Sequence, residues 1–311
     1  MTQDDSIAGQ GLSFIKMHGL GNDYVYIDRF TESASFDPAA LACLLADRHR
    51  GIGGDGLILV EPSHRAVARM RMFNADGSES EMCGNGVRCV GHIVVSRGYA
   101  APGRLAIETG RGILDLVVSR SSPTLSQVRV DMGQPLLNPE DIPVNSSLVH
   151  GPIIDLRSAV IGNHSGWWDS AKLDARMTCV SMGNPHAIFY CGDVEQVPLE
   201  TIGPIIENNS FFPQRVNVHF VECQSKNRVK MITWERGSGV TQACGTGASA
   251  VCVAGRLTHR TDELIRAELP GGELELSWDG HGSVFMSGPA EEVFGGVWEG
   301  LIPKPVGSQV G

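Results

Sequence analysis

Short apolar runs separated by glycine-rich turns recur along the chain. Leu57-Ile58-Leu59-Val60 and Arg69-Met70-Arg71-Met72-Phe73 predict strands. Ile113-Leu114-Asp115-Leu116-Val117-Val118 and Leu274-Glu275-Leu276-Ser277-Trp278 predict two more, each entered through glycines. Two further runs, residues 87–95 and 248–257, are apolar nearly all round. A helix with no polar face has to be buried. Each of these runs follows directly on a Cys-Gly-x-Gly string. The pattern therefore predicts a mixed α/β (α+β) fold in which sheet is wrapped around a central helix, and it predicts this twice.

That doubling extends beyond the two helices. Met82-Cys83-Gly84-Asn85-Gly86-Val87 resembles Ala243-Cys244-Gly245-Thr246-Gly247-Ala248, 161 residues later. At the same spacing Asn74 falls opposite Glu235, and Leu59-Val60-Glu61 opposite Phe220-Val221-Glu222. Gly21-Asn22 matches Gly183-Asn184 at 162, and Glu108-Thr109-Gly110-Arg111-Gly112 matches Glu268-Leu269-Pro270-Gly271-Gly272 at 160. A near-constant offset over so many segments points to a duplication. We expect two pseudo-symmetric domains, residues 12–139 and 177–300, each of ordinary domain size. Residues 140–176 have no counterpart in the repeat and are expected to be a peripheral connector or insertion; they hold the pair Trp167-Trp168. The last strand of the second half could be lent to the first.

Bulk properties narrow the partners. The 311 residues carry 25 basic and 35 acidic side chains, a net charge of −10, with no basic patch larger than Arg48-His49-Arg50. Nucleic acid and anionic membrane are excluded on that ground. No apolar run is long enough to cross a bilayer. Residues 1–10 do not read as a secretory signal. A cytoplasmic, reducing location follows as an expectation, with the eight cysteines mostly as thiols. None forms a Cys-x-x-Cys pair, so a zinc ribbon or thioredoxin-type site is not expected.

The chemistry lies in the two repeated strings. A lone cysteine is more often a small buried hydrophobe than a catalyst. Cys83 and Cys244, however, each stand where a loop meets a helix N-terminus. Unpaired N–H groups and the partial positive charge there favour a thiolate. Flanking glycines let a ligand reach the backbone. A symmetric pair argues that both thiols face one cleft. Inverting a carbon centre needs a base on one face and an acid on the other, and a thiolate and a thiol can exchange those roles. The helix N-termini would bind the carboxylate beside the reacting carbon. Cys43, Cys89, Cys179, Cys191, Cys223 and Cys252 have no such context. Asn22, Asn74, Asn184 and Asn217 sit in turn-like strings, and ordinary turn chemistry accounts for any one of them alone. His186 serves equally well as a structural histidine or a site residue. Arg236 suits a bidentate carboxylate contact. Gly51-Ile52-Gly53-Gly54-Asp55-Gly56 lacks the Gly-Lys-Ser/Thr ending of a phosphate loop. None of the five lysines has a Schiff-base-like context, which argues against pyridoxal phosphate.

Taken in order, several strings resemble the diaminopimelate epimerase family over nearly the whole chain. They are Lys16-Met17-His18-Gly19-Leu20-Gly21-Asn22-Asp23, Phe73-Asn74-Ala75-Asp76-Gly77-Ser78, Met82 to Arg88, Met182-Gly183-Asn184-Pro185-His186, Arg215-Val216-Asn217-Val218, Glu235-Arg236-Gly237 and Ala243-Cys244-Gly245-Thr246-Gly247. The resemblance implies interconversion of L,L- and meso-diaminopimelate in lysine and peptidoglycan-precursor synthesis, with no metal, no cofactor and commonly a homodimer. It implies two domains, each a curled, mainly antiparallel sheet around a central helix. By similarity Cys83 and Cys244 are the acid/base pair, assisted by Glu235 and His186. The N–H groups of Gly84-Asn85 and Gly245-Thr246 would hold the reacting carboxylate, and Glu235 the α-ammonium. Asn74, Asn184, Asn217 and Arg236 would grip the distal end, and Asn22 would line the cleft. Gly56 stands where some relatives contact substrate through Gln.

Other functions remain to be separated. Proline and hydroxyproline racemases share two thiols but take substrates with no distal amino-acid end. Phenazine-synthesis isomerase relatives lack the paired thiols. A non-catalytic amino-acid binding protein or a thiol-redox protein would represent a different class. Reductant would inactivate the redox protein and preserve the epimerase.

Overall fold

The computed structural model describes residues 11–80, 84–145, 149, 151–157, 160 and 166–305. The chain divides into two units. One runs to Val130 and takes up the chain again from Pro289; the other is Asp131–Gly288.

In the first unit, β1 (Leu12–Gly19) and β2 (Asn22–Asp28) form an antiparallel hairpin. Helix α1 (Pro38–Ala46) then crosses to β3 (Gly56–Glu61), which pairs parallel to β2. Its start is fixed locally: Pro38 opens the helix and the Asp37 carboxylate accepts from the Ala39 and Ala40 N–H groups. β3 pairs antiparallel with β4 (Ala68–Asn74), and β5 (Glu79–Ser80) closes on β4. Helix α2 (Gly84–Ser96) follows. β6 (Gly103–Thr109) is parallel to β4 and leads into the antiparallel β7 (Gly112–Arg120) and β8 (Leu125–Asp131). Every residue of α2 from Gly84 to Val95 is buried, packed against β1, β4, β6 and β7. Two of them are polar and long. Arg88 donates to the Pro289 carbonyl at 3.1 Å and the Gly84 carbonyl at 3.4 Å, and His92 Nδ1 is 2.9 Å from Ser126 Oγ.

The second unit repeats this order. β9 (Leu156–Arg157) and the short helix α3 (Gly166–Ala171) precede β10 (Arg176–Ser181) and β11 (Pro185–Cys191), again a hairpin. Helix α4 (Leu199–Glu207) leads to β12 (Asn217–Ser225), parallel to β11. β13 (Arg228–Glu235), β14 (Gly239–Val240), α5 (Gly245–Leu257), β15 (Leu264–Leu269) and β16 (Gly272–Ser277) complete the set. Register repeats along with topology. Val25↔Leu57, Leu57↔Phe73 and Thr109↔Gly112 in the first unit become Ala187↔Val218, Val218↔Trp234 and Leu269↔Gly272 in the second. The final strand, β17 (Phe285–Trp298), opens on β16 through Phe285–Ser287 in the second unit. From Pro289 onward it belongs to the first unit, where it pairs with β1.

The described residues within 140–176 are not a peripheral link: Ile142, Val144, Ile153 and Ala171 are buried in one core of the second unit with Phe189, Phe212 and Phe220. Trp167 packs edge-on to Phe220, their rings 6.1 Å apart.

Candidate active site

The expected site residues fall into two groups, one in each unit. Cys83 lies outside the described residues. Gly84 and Asn85 form the first turn of α2 and are buried there. Asn22, at the start of β2, donates to an Asp55 carboxylate oxygen at 2.7 Å and accepts from the Asn85 amide at 3.3 Å. Asp55 is held in turn by the Asp23 N–H at 3.0 Å and by Arg48 at 3.0 Å. Lys16, buried beneath them, pairs with Asp23 at 2.5 Å and donates to the Gly53 carbonyl. Burial pushes the Asp55 carboxyl up, with the neighbouring Asp23 charge adding to it. Burial opposes the ionised form of Asp23 as well, but hydrogen bonds from Arg48 and Lys16 win and hold it below the usual carboxylate range. Asn74 closes a turn, its amide donating to Ser78 Oγ at 3.0 Å.

Gly56 is paired with Asn74 across β3 and β4. A Cβ there would run into the Phe73 carbonyl oxygen. At φ +157 it also has a backbone that side-chain-bearing residues rarely adopt. No Gln contact can come from this position without moving the strand. Asp55, the preceding residue, instead holds Asn22 from below.

The second group is centred on Cys244. The residue caps α5 in an extended conformation, φ −120 and ψ 103, and is 4% exposed. Sequence alone predicts a depressed thiol pKa at such a position. The structure shows the opposite balance: burial pushes the Cys244 thiol well above its ordinary range, and the Glu235 carboxylate beside it adds to the rise. The Thr246 hydroxyl, 3.6 Å from Sγ, and the Gly247 N–H pull in the other direction. Desolvation outweighs the helix end because the sulfur is shut away from water. Glu235, at the end of β13, is oriented by the Thr241 hydroxyl at 2.6 Å. Gly245 and Thr246 supply first-turn N–H groups that have no intrahelical acceptor. Gly247 is needed for close approach: a Cβ there would collide with His219 Cε1 and lie 3.1 Å from the Cys244 sulfur.

Asn184 bridges to this helix, its amide donating to Thr246 Oγ1 at 3.3 Å. Its Oδ1 is 3.0 Å from His186 Nε2, and His186 Nδ1 is 2.9 Å from His219 Nε2. His219 Nδ1 is 2.9 Å from Thr233 Oγ1. Burial, the neighbouring ring and Arg236 keep His186 well below its ordinary pKa, and burial lowers His219 to about 3. Both imidazoles are neutral at physiological pH.

Asn217 is a strut. Its amide donates to the Pro185 carbonyl at 2.9 Å and its Oδ1 accepts from the Arg236 N–H at 2.9 Å. One N–H and one lone pair remain for a ligand. The Arg236 guanidinium donates to the Gln214 carbonyl at 3.0 Å.

Sequence reasoning missed Asp55, Thr233, Thr241 and His219. The period of a strand was the available signal for His219: it is two residues beyond Asn217 on β12, hence on the same face, and opposite Thr233 in register. Among the described residues, no three of His, Cys, Asp and Glu are grouped as a metal ion would require, and no helix is long and apolar enough to span a membrane.

Comparison with known proteins is consistent across the chain. The profile of the family described as diaminopimelate epimerase matches residues 14–137 and 178–293. The diaminopimelate epimerase of Agathobacter rectalis is 45% identical over 289 residues, covering 92% of this chain and 98% of that protein. That of Acetivibrio thermocellus is 45% identical over 286 residues, again 92% and 98%. Among solved structures, a Bacillus anthracis phenazine biosynthesis protein of the PhzF family superposes with a TM-score of 0.64 at 14% identity, covering 93% of this chain and 99% of that one. A hydroxyproline epimerase from Agrobacterium vitis, solved with trans-4-hydroxy-L-proline, gives 0.59 at 14%, covering 93% and 91%. These two likenesses show the fold: mixed α and β, dominated by sheet.

Proposed function

Since the chain belongs to the diaminopimelate epimerase family, we propose that it interconverts L,L- and meso-diaminopimelate, with Cys83 and Cys244 as the two acid/base groups. Support for Cys244 comes from its setting, a buried thiol capping α5 between the Thr246 hydroxyl and the Glu235 carboxylate.

In the proposed step one thiolate takes the α-proton, and the C–H electron pair moves onto the α-carboxylate. The other cysteine delivers its S–H proton to the opposite face of the carbon. Afterwards the first sulfur is a thiol and the second a thiolate, so the reverse reaction needs no other group. First-turn N–H groups at Gly84-Asn85 and Gly245-Thr246 hold the carboxylate and stabilise the charge that builds on it. His186, with both ring nitrogens hydrogen-bonded within the protein, assists at the reacting end through Asn184 and Thr246, and Glu235 takes the substrate α-ammonium. This contact has a second effect: Glu235 raises the Cys244 pKa, and a cation bound to it removes that penalty as substrate arrives. Asn74, Asn184, Asn217 and Arg236 bind the distal amino-carboxylate, and Asn22 lines the site. The chemistry calls on no pyridoxal phosphate and no metal. A homodimer in the cytoplasm, in lysine and peptidoglycan-precursor synthesis, completes the reading.

Solvent exchange provides the test. In deuterium oxide each stereoisomer of diaminopimelate should acquire α-deuterium, and Cys83→Ala or Cys244→Ala should abolish inversion with folding intact. Turnover of proline without diaminopimelate would sink the assignment, and an active single mutant would sink the two-base scheme.

A further inference from the structure

We infer that His219 and Thr233 are positioning residues for Cys244: with His186, Asn184 and Thr246 they form one hydrogen-bonded chain whose donors all point toward the Cys244 sulfur. The links measure 2.9 Å from Thr233 to His219, 2.9 Å between the two imidazoles, 3.0 Å from His186 to Asn184, 3.3 Å from Asn184 to Thr246 and 3.6 Å from Thr246 to Sγ. His186 and His219 are fully buried and Thr233 nearly so. The inference rests on reading Cys244 as an acid/base group.

Direction follows from donor counting. A neutral imidazole carries one N–H and offers one acceptor. The Asn184 amide directs Nδ2 at Thr246 Oγ1 and Oδ1 at His186 Nε2. An oxygen that only accepts requires His186 to carry its proton on Nε2. His186 Nδ1 is then an acceptor, so His219 must donate from Nε2. His219 Nδ1 accepts in turn, and the Thr233 hydroxyl donates to it. At the other end Thr246 Oγ1 receives the Asn184 N–H, and its own hydrogen is left for the sulfur. In such a chain each donor is polarised by the one behind it. The result is a fixed hydroxyl aimed at the thiolate, opposing the burial and the Glu235 charge that favour the thiol.

The residues that build this chain are not repeated in the first half. At the repeat offsets the first half has Tyr24, Ile58 and Met72 in place of His186, His219 and Thr233. It is not a consequence of the fold, because the same fold is built without it.

Two measurements test the inference. The first needs no substrate: long-range ¹H–¹⁵N spectra of the whole, ¹⁵N-histidine-labelled protein, assigned with the His219→Gln variant. Both rings should be Nε2–H tautomers; Nδ1–H on both would reverse the chain and overturn the inference. The second is the pH profile of substrate α-proton exchange. Thr233→Val should move its thiolate-dependent limb up by roughly half a pH unit, about the effect of one weakened hydrogen bond. KM should change little, and Thr233→Ser should restore the profile. An unshifted profile in a folded Thr233→Val protein would also overturn the inference. Failure of the wild-type protein to exchange diaminopimelate would refute the proposed function and leave the tautomer result standing.

Discussion

Lowering the pH from 7 to 4.5 should destabilise the second unit through its buried histidines. His219 has an ordinary pKa of 6.5 and about 3 in the folded chain, because burial disfavours the imidazolium. The unfolded chain therefore takes up a proton below pH 6.5 while the folded chain does not. Stability contributed by the neutral ring is present at pH 7 and is lost as the pH falls toward 3. Integrating one proton over this window gives a loss of roughly 2.5 kcal/mol by pH 4.5. His186 is shifted in the same direction for the same reason and adds a second proton to the slope. Four of the five tryptophans, Trp167, Trp168, Trp234 and Trp278, lie in the second unit, so tryptophan emission in urea melts reports chiefly on it. The variant His219→Gln serves as the control. Whatever its absolute stability, its melting midpoint should depend less on pH by one proton's worth. Equal pH dependence in the two proteins would refute the assignment of His219 as a neutral buried base.

Three other outcomes are expected. Gly247→Ala places a Cβ against His219 and the Cys244 sulfur, and thermal melting should show a loss of about 1–3 kcal/mol from overpacking, with exchange activity falling further than stability. Gly56→Gln forces a side chain into the Phe73 carbonyl; it should destabilise the first unit by a similar ~1–3 kcal/mol without improving KM, as melting and steady-state assays would show. Asp55→Ala removes the acceptor that orients Asn22 and one partner of Arg48, and KM for diaminopimelate should rise about tenfold with a smaller change in kcat.

Much of this was legible because the signals are local or repeated. The four strand runs lie within or overlap β3, β4, β7 and β16, and the two apolar runs lie within α2 and α5. Both helices begin earlier than their apolar runs because the Gly-x-Gly strings join the first turn, with Cys244 acting as the cap of α5. What escaped notice depends on contacts distant in sequence. Arg88 and His92 sit in a helix read as apolar, and partners distant in sequence, such as the Pro289 carbonyl and Ser126, offset their burial. Residues 140–176 read as linker because their apolar positions follow no regular period, yet several are core. The His219–Thr233 contact needed strand register, which a single sequence does not specify.

The two halves also show how a duplicated fold becomes chemically unequal. Asn22 and Asn184 occupy matching turns, and each bonds to the second residue of its helix at 3.3 Å, Asn85 and Thr246 respectively. The polarity differs. Asn22 gives its N–H to the Asp55 carboxylate and so can only accept from Asn85. Asn184 has its oxygen on His186 and so donates to Thr246. In the first half a charged cluster of Lys16, Asp23, Arg48 and Asp55 fixes the amide; in the second, two neutral imidazoles do so. The charged anchor holds Asn22 by its amine end, where a carboxylate can reach it near the surface. The neutral anchor can be buried completely, since neither ring has to ionise, and it leaves a hydroxyl proton free to meet the Cys244 sulfur. The same backbone thus aims an acceptor at one helix N-terminus and a donor at the other.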